Sequence, residues 1–361
     1  MKEKSEVNKY KFTQKYNTET FQEEIEVIIP QEAFSSFFTQ ALELVSKSVT
    51  LSGFRKGKAP QNVVLANRYN EIADRAVELS IEDALKSIGE INPKPLDRLS
   101  IKAVEKVDEK KDDSDMKVTV TYLPYPTITL GDFSKVKVKK EEPKKAEKEQ
   151  VETEVKNIWL AYAKKLDDKL TLEDYKKELV TEEFFEKSGI KAENPNIKSF
   201  EDLWKFVEDY MNHTNEHEAE HAYNTQIISE LIKKTNYEKA EGIIETELQK
   251  RVEAYMNKFK EIGLNPEEYL EKNNVNITEL RNEWKTQVDH DVKMELMLQE
   301  YGSQNKIVPT EDELKAEMEK LDANTRKMYN FDEDKLKSLV TYYYVNNKAY
   351  LELVEKVKTN K

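Results

Sequence analysis

A chain of 361 residues carries 58 Lys and Arg against 71 Asp and Glu, a net charge of −13. That leaves room for two or three domains with cores of their own, and 36% charged residues, against roughly 25% in average globular proteins, suits long solvated helices. Eight glycines leave no GxGxxG fingerprint or P-loop, and the absence of cysteine removes disulfides, thiolate zinc sites, iron–sulfur clusters and cysteine nucleophiles together.

The opening MKEKSEVNKYKFTQKYNTE contains no apolar run, and no stretch of about eighteen apolar residues follows, so neither a signal peptide nor a membrane span is expected. The expectation is a soluble, cytoplasmic protein. Phe21 to Ile29 alternates, with Ile25, Val27 and Ile29 on one face, and predicts a half-buried strand ending at Pro30. From Gln31 to about Thr50, Phe34, Phe37, Phe38, Ala41, Leu44 and Val45 recur at three and four, an amphipathic helix. Gly53 and Gly57 then bracket an exposed Phe-Arg-Lys, and Pro60 opens a region of two further helical patterns that runs to Ile88. Pro93 and Pro95 break the chain before strands at Ile101 to Val104 and Lys117 to Leu123. This predicts an α+β domain with a small antiparallel sheet.

Pro124, Pro126 and the Gly131-Asp132 turn lead into VKVKKEEPKK, an extended linker. Beyond it nearly everything is helical. Stripes run through Val151, Val155, Ile158, Trp159, Tyr162 and Leu166, and through Phe200, Leu203, Trp204, Val207 and Tyr210. Others run from Ile244 to Phe259 and from Leu280 to Leu298, ending at Gly302. Thr310 with Glu313 is a capping-box pattern, and a last helix carries Leu336, Leu339, Val340, Tyr343, Tyr344, Leu351 and Val354. Trp159, Trp204, Trp284, Met294, Met297 and Tyr342 to Tyr344 are expected mostly in cores, the remainder lining a cavity.

Charge is unevenly spread. Residues 1–140 hold 23 basic and 22 acidic groups, and residues 141–361 hold 35 and 49. Between Leu44 and Asn70 lie Lys47, Arg55, Lys56, Lys58 and Arg68 with no Asp or Glu, a compact patch that can dock on a polyanion while the acidic remainder is repelled. An exposed aromatic beside a guanidinium and an ammonium can stack on a base or fill a protein pocket while its cations meet phosphates or carboxylates.

With the Phe34 to Val45 helix, NRY at Asn67 to Tyr69, INPKP at Ile91 to Pro95 and LPYPTITLGDF at Leu123 to Phe133, the GFRKGKAP loop resembles bacterial trigger factor over about residues 20–140. The resemblance continues less specifically through TEEFFEKSG (Thr181 to Gly189), SFEDLWKFVE (Ser199 to Glu208) and the helices beyond. It implies a ribosome-binding α+β domain at 1–123, an extended linker at 124–146 and a mostly α-helical chaperone body with arm-like helices at 147–361. It also implies a ribosome-docking role for Gly53, Phe54, Arg55, Lys56, Gly57 and Lys58. The expected partners are an exit-tunnel ribosomal protein, rRNA and nascent or unfolded polypeptides, with a homodimer off the ribosome left open. One departure is clear. The family usually inserts an FK506-binding-type prolyl isomerase domain, but only 33 residues, Asp167 to Ser199, with a single glycine, separate two helices here, too few for a sheet domain with its own core. No catalytic residue and no cofactor is expected.

A different chemistry competes. HEAEH, His217 to His221, matches the zincin string, with His213 one turn upstream and Glu218 as general base, so His213, His217 and His221 are candidate metal ligands of a zinc peptidase. Against it, Asn212 to His221 has Ala219 as its sole apolar residue, whereas a catalytic zinc helix packs one face into its domain. A chaperone retaining some isomerase activity and a secreted SurA-like chaperone also stay open, the latter disfavoured by the missing signal peptide.

Overall fold

The computed structural model describes residues 10–89, 91–111, 113–273 and 275–359. In chain order the strands and helices are β1 (Lys11–Asn17), β2 (Gln22–Ile29), α1 (Gln31–Ser48), α2 (Gln61–Ile88), β3 (Ser100–Lys106), β4 (Met116–Tyr122), β5 (Thr127–Thr129) and α3 (Lys148–Ala163). There follow α4 (Glu182–Ser188), α5 (Ile190–Glu193), α6 (Phe200–Lys234), β6 (Asn236–Glu238), α7 (Glu241–Glu261), α8 (Pro266–Lys272), α9 (Ile277–Gln304), α10 (Glu311–Glu319), α11 (Ala323–Met328) and α12 (Glu333–Thr359). The chain forms two compact units: Met1–Thr129 with Asn236–Leu296, and Leu130–Thr235 with Met297–Lys361.

In the first unit the sheet order is β1-β2-β4-β3, every neighbouring pair antiparallel. The register sets Ile25 opposite Val120 and Val27 opposite Val118, so the alternating apolar positions of β2 and β4 fall on one face. Tyr10, Ile81 and Ala84 join that buried cluster, with Phe34, Val77 and Leu85 packed against it. The strand β1 escaped the sequence reading because KFTQKYN is an exposed edge whose apolar residues are Phe12 and Tyr16, too sparse for a period to show. The helical patterns after Pro60 form one helix, α2, kinked at Arg68 (φ −135°, ψ 30°), which is why they read as two. The hairpin of α1 and α2 closes on Ala41, Val45, Val49, Val64, Ile72 and Ala76. Leu44, expected in that stripe, is exposed.

The same unit takes in β6, α7, α8 and the part of α9 up to Leu296. Thr127–Thr129, inside the segment expected to be linker, pairs antiparallel with Asn236–Glu238, and Ile128 and Tyr237 pack on a cluster of Ala240, Ile244, Leu248, Val288, Val292 and Leu296. The carboxylate of Glu23, 2% exposed, accepts from Lys239 Nζ at 2.6 Å. Gly242 lies so near the Leu123 side chain and the Phe21 carbonyl that a Cβ there has no room. These contacts tie residues from about a hundred to more than two hundred positions apart in sequence, and no periodicity announces them.

The second unit has its best-defined core where Val151, Val155, Trp159 and Ala163 of α3, spaced by four, meet Leu203 and Val207 of α6. Val180, Phe185, Ile190 and Ile197 from the intervening segment complete it, and the Trp159 ring meets Tyr175 edge-on at 5.4 Å. Leu166, expected on the α3 stripe, lies beyond the helix and is exposed. Helix α9 runs through Gly302 to Gln304; the glycine is there because a Cβ would strike Val345 of α12. The capping box of Thr310 and Glu313 is formed as expected. The short helices α8 and α11 were not anticipated, each being only seven or six residues long. Among the expected core residues Trp159 and Met297 are buried, but Tyr343 is exposed. No helix among the described residues is long and apolar enough to cross a membrane.

On the other face of the sheet Glu24 is buried but well paired. Lys102 Nζ at 2.6 Å and then Asn17 Nδ2 at 2.9 Å, outweighing desolvation, hold its carboxyl down to about 2. A depressed carboxylate contributes stability that is present above its unfolded value of about 4.3 and lost as pH falls through its folded value. The stability gap between wild type and Glu24→Gln is therefore expected to be widest near pH 7 and to shrink between about pH 4.3 and about pH 2. Urea unfolding across that range measures it, and a gap independent of pH would contradict the assignment.

Candidate functional site

The loop between α1 and α2 is built by two consecutive turns. Phe54 N donates to Leu51 O at 3.0 Å and Lys58 N to Arg55 O at 2.9 Å, while Gly57 N donates across the base to Val49 O at 3.0 Å. Both glycines have positive φ, +84° at Gly53 and +70° at Gly57, a region that costs an L-residue about 1–2 kcal/mol. Gly57 has a second reason to lack a side chain, since a Cβ would sit 2.7 Å from the Lys47 carbonyl oxygen. Pro60 then precedes α2, its carbonyl accepting from Val63 and Val64.

This backbone turns Phe54, Arg55 and Lys56 outward together. Phe54 is 39% exposed despite being a large apolar side chain, and Arg55, Lys56, Lys58 and Lys47 are exposed as well. Among the described residues none of these four cations has a carboxylate within 4 Å; Arg68, on α2, has Glu71 at 3.8 Å. The tip therefore presents an aromatic face with uncompensated positive charge, which can receive phosphate or carboxylate groups beside an apolar contact.

The other motifs of the resemblance are structural. Asn67 Nδ2 donates to Val63 O at 2.8 Å, next to the Arg68 kink, and Tyr69 packs with Phe38 at 5.7 Å between ring centroids. The INPKP and LPYP segments run alongside each other, with Leu96 N donating to Leu123 O at 2.8 Å and Tyr125 N to Lys94 O at 2.7 Å.

HEAEH lies in the middle of α6. His213 and His217 bring their Nε2 atoms to 3.2 Å. Glu220 is occupied by Lys140, at 2.5 Å, and by Lys358, which in that order hold its carboxyl down to about 2. Among the described residues no three His, Asp or Glu side chains converge into a metal-binding group. A peptidase zinc needs three protein ligands and a free general base in a cleft, so the sequence match is not accompanied by that geometry.

Sequence reasoning missed a second feature. At the junction of α11 and α12, Met328 is 76% and Phe331 65% exposed. Asn330 and Phe331 both have positive φ, +52° and +57°. A phenylalanine held in the left-handed region is strained, and here it also faces water; nothing in the string YNF signals it.

Two family models account for most of the chain. The model described as bacterial trigger factor protein (TF) matches residues 10–158, and that of the trigger factor C-terminus matches 199–360. The chain belongs to the trigger factor family. A Desulfitobacterium hafniense trigger factor is 30% identical over 122 residues, 32% of this chain and 27% of that protein. A Clostridium botulinum trigger factor is 32% identical over 137 residues, 37% of this chain and 30% of its own length, so these matches span less than a third of the relatives. An Exiguobacterium sibiricum trigger factor is 21% identical over 394 aligned positions, 86% of this chain and 89% of that protein. One solved chain, from work on promiscuous substrate recognition in the folding and assembly activities of the trigger factor chaperone, shares the fold with a TM-score of 0.52. It does so at 14% identity, over 96% of this chain and 100% of its own. Between the two family matches, residues 159–198 hold no prolyl isomerase domain. They comprise the end of α3, short 3-10 turns, α4 and α5, and Val180, Phe185, Ile190 and Ile197 of this stretch are buried in the Trp159 core.

The two loop glycines separate backbone strain from crowding. Gly53→Ala meets nothing within 4 Å and is expected to cost about 1 kcal/mol for its positive φ, whereas Gly57→Ala adds the Lys47 carbonyl clash and is expected to cost more than about 2 kcal/mol. Chemical denaturation of both variants checks the order; equal losses would place the loop base elsewhere.

Proposed function

We propose that this trigger factor family member is an ATP-independent chaperone that docks beside the ribosomal exit tunnel and shields apolar segments of emerging chains in the cytoplasm. In this reading residues 1–123 are the ribosome-binding domain, 124–146 the linker and 147–361 the chaperone body, and Gly53, Phe54, Arg55, Lys56, Gly57 and Lys58 form the docking loop. The observation that carries it is the outward Phe54-Arg55-Lys56 tip, held by two left-handed glycines and free of acidic neighbours. Exposed Met328 and Phe331, with Tyr210 and Tyr343, supply adaptable apolar surface for unrelated sequences. Prolyl isomerisation forms no part of the proposal, because residues 159–198 are committed to a helical core.

Replacing Phe54, Arg55 and Lys56 together by alanine is expected to abolish co-sedimentation with ribosomes while leaving the far-UV spectrum unchanged. Wild-type binding should weaken with salt, log K falling by about 0.7–0.9 for each tenfold rise in salt per phosphate neutralised by the loop cations. Undiminished co-sedimentation of the triple variant would overturn the docking role.

For client shielding, Phe331→Asn removes exposed apolar surface and places a residue tolerant of the left-handed region at φ +57°. The variant is expected to be as stable as wild type, or up to about 1 kcal/mol more so, yet to suppress aggregation of an unfolded protein less well. Full suppression by this variant and by Met328→Ser would remove the α11–α12 tip from the client surface.

A further inference from the structure

The function proposed above leaves one motif unused, the histidines of α6. Residues four apart on a helix stand over one another, and here the imidazoles of His213 and His217 meet edge-on, ring centroids 4.4 Å apart, in an Nε2–Nε2 hydrogen bond of 3.2 Å whose one proton must move to Nδ1 before a cation can take both nitrogens. A cation held at about 2.0–2.1 Å from both nitrogens would see that 3.2 Å span at an angle of roughly 100°, between the square-planar and tetrahedral values. Helix α6 is 35 residues long and runs well past the pair on either side, so the backbone is already ordered for chelation. Both rings are exposed, which leaves the remaining coordination positions to water. Asp209, Glu216 and Glu218 flank them in sequence and bias the local field toward cations.

We propose that His213 and His217 form a two-imidazole chelate on α6 for a borderline first-row divalent cation. Imidazole suits copper, nickel and zinc and not magnesium or calcium, and the order of divalent affinities places Cu2+ first. His221, one turn further, lies outside the pair, since the structure brings together the Nε2 atoms of His213 and His217. Chelation would cross-link one exposed turn of α6 and carries no hydrolytic role.

The test uses the full chain and Cu2+ alone in a non-coordinating buffer at pH 7.5, with affinity from competition against a chelator and nitrogen ligation from electron paramagnetic resonance. One equivalent is expected, ligated by two imidazole nitrogens. His213→Ala and His217→Ala should each lower the affinity at least tenfold and drop one nitrogen from the spectrum, and His221→Ala should stay within twofold of wild type. The side chains are exposed, so metal-free variants should melt as wild type does, separating lost ligation from lost folding. Wild-type affinity in His213→Ala, or an equal loss in His221→Ala, would overturn the chelate.

Discussion

The ion pair between Glu23 and Lys239 is the contact on which the architecture of the first unit turns. Taking two charges out of water costs several kcal/mol per ion and is repaid only by close, well-hydrogen-bonded geometry. Here the carboxylate is almost wholly buried and accepts from both Lys239 and Gln14, while Lys239 also lies over the Tyr16 ring at 5.2 Å. Removing either partner would strand the other. The pair specifies where residues 236 onward must join the N-terminal sheet, and the β5–β6 pairing and the close approach at Gly242 follow from the same placement.

The second unit solves a different problem. A chain with 36% charged residues has few apolar groups per helix, so each stripe needs a dedicated partner. Trp159 supplies the largest buried surface in its cluster, and the segment between α3 and α6 supplies Val180, Phe185, Ile190 and Ile197 to cover it. Ahead of α3, Ala146 N donates to Asn212 and Asn215 donates to the Lys144 carbonyl, so polar side chains of α6 secure the extended segment where apolar ones are lacking. Lys140 on Glu220 does the same with charge, and Lys358 of α12 meets the same carboxylate.

The two proposed contacts of the protein draw on opposite physics. The docking loop uses uncompensated cations, which salt screens, and the α11–α12 tip uses apolar exposure, which moderate salt leaves intact. Both place an aromatic residue in water, and in both the backbone has a positive φ at or beside it: glycine bears it at Gly53, whereas Phe331 bears it itself.

The amino-acid sequence by itself determined β2, β4, α1, α3 and the capped start of α10, because alternation, three-four spacing and capping pairs act within a few residues. It determined the turn and charge of the GFRKGKAP loop too, since two glycines, a proline and an acid-free run of cations are local facts. Tertiary structure alone decided the rest. The edge strand β1 has too little apolar content to show a period, β5 and β6 are three residues each and exist only through one another, and Leu44 and Tyr343 lie on apparent stripes yet face water. The partner of Glu23 could not be read from a chain with 58 basic groups, and a glycine seemingly ending a helix at 302 is in fact a packing contact with Val345. Each of these depends on which distant segment arrives opposite, and that choice is made by the whole chain's burial and charge pairing rather than by any local pattern.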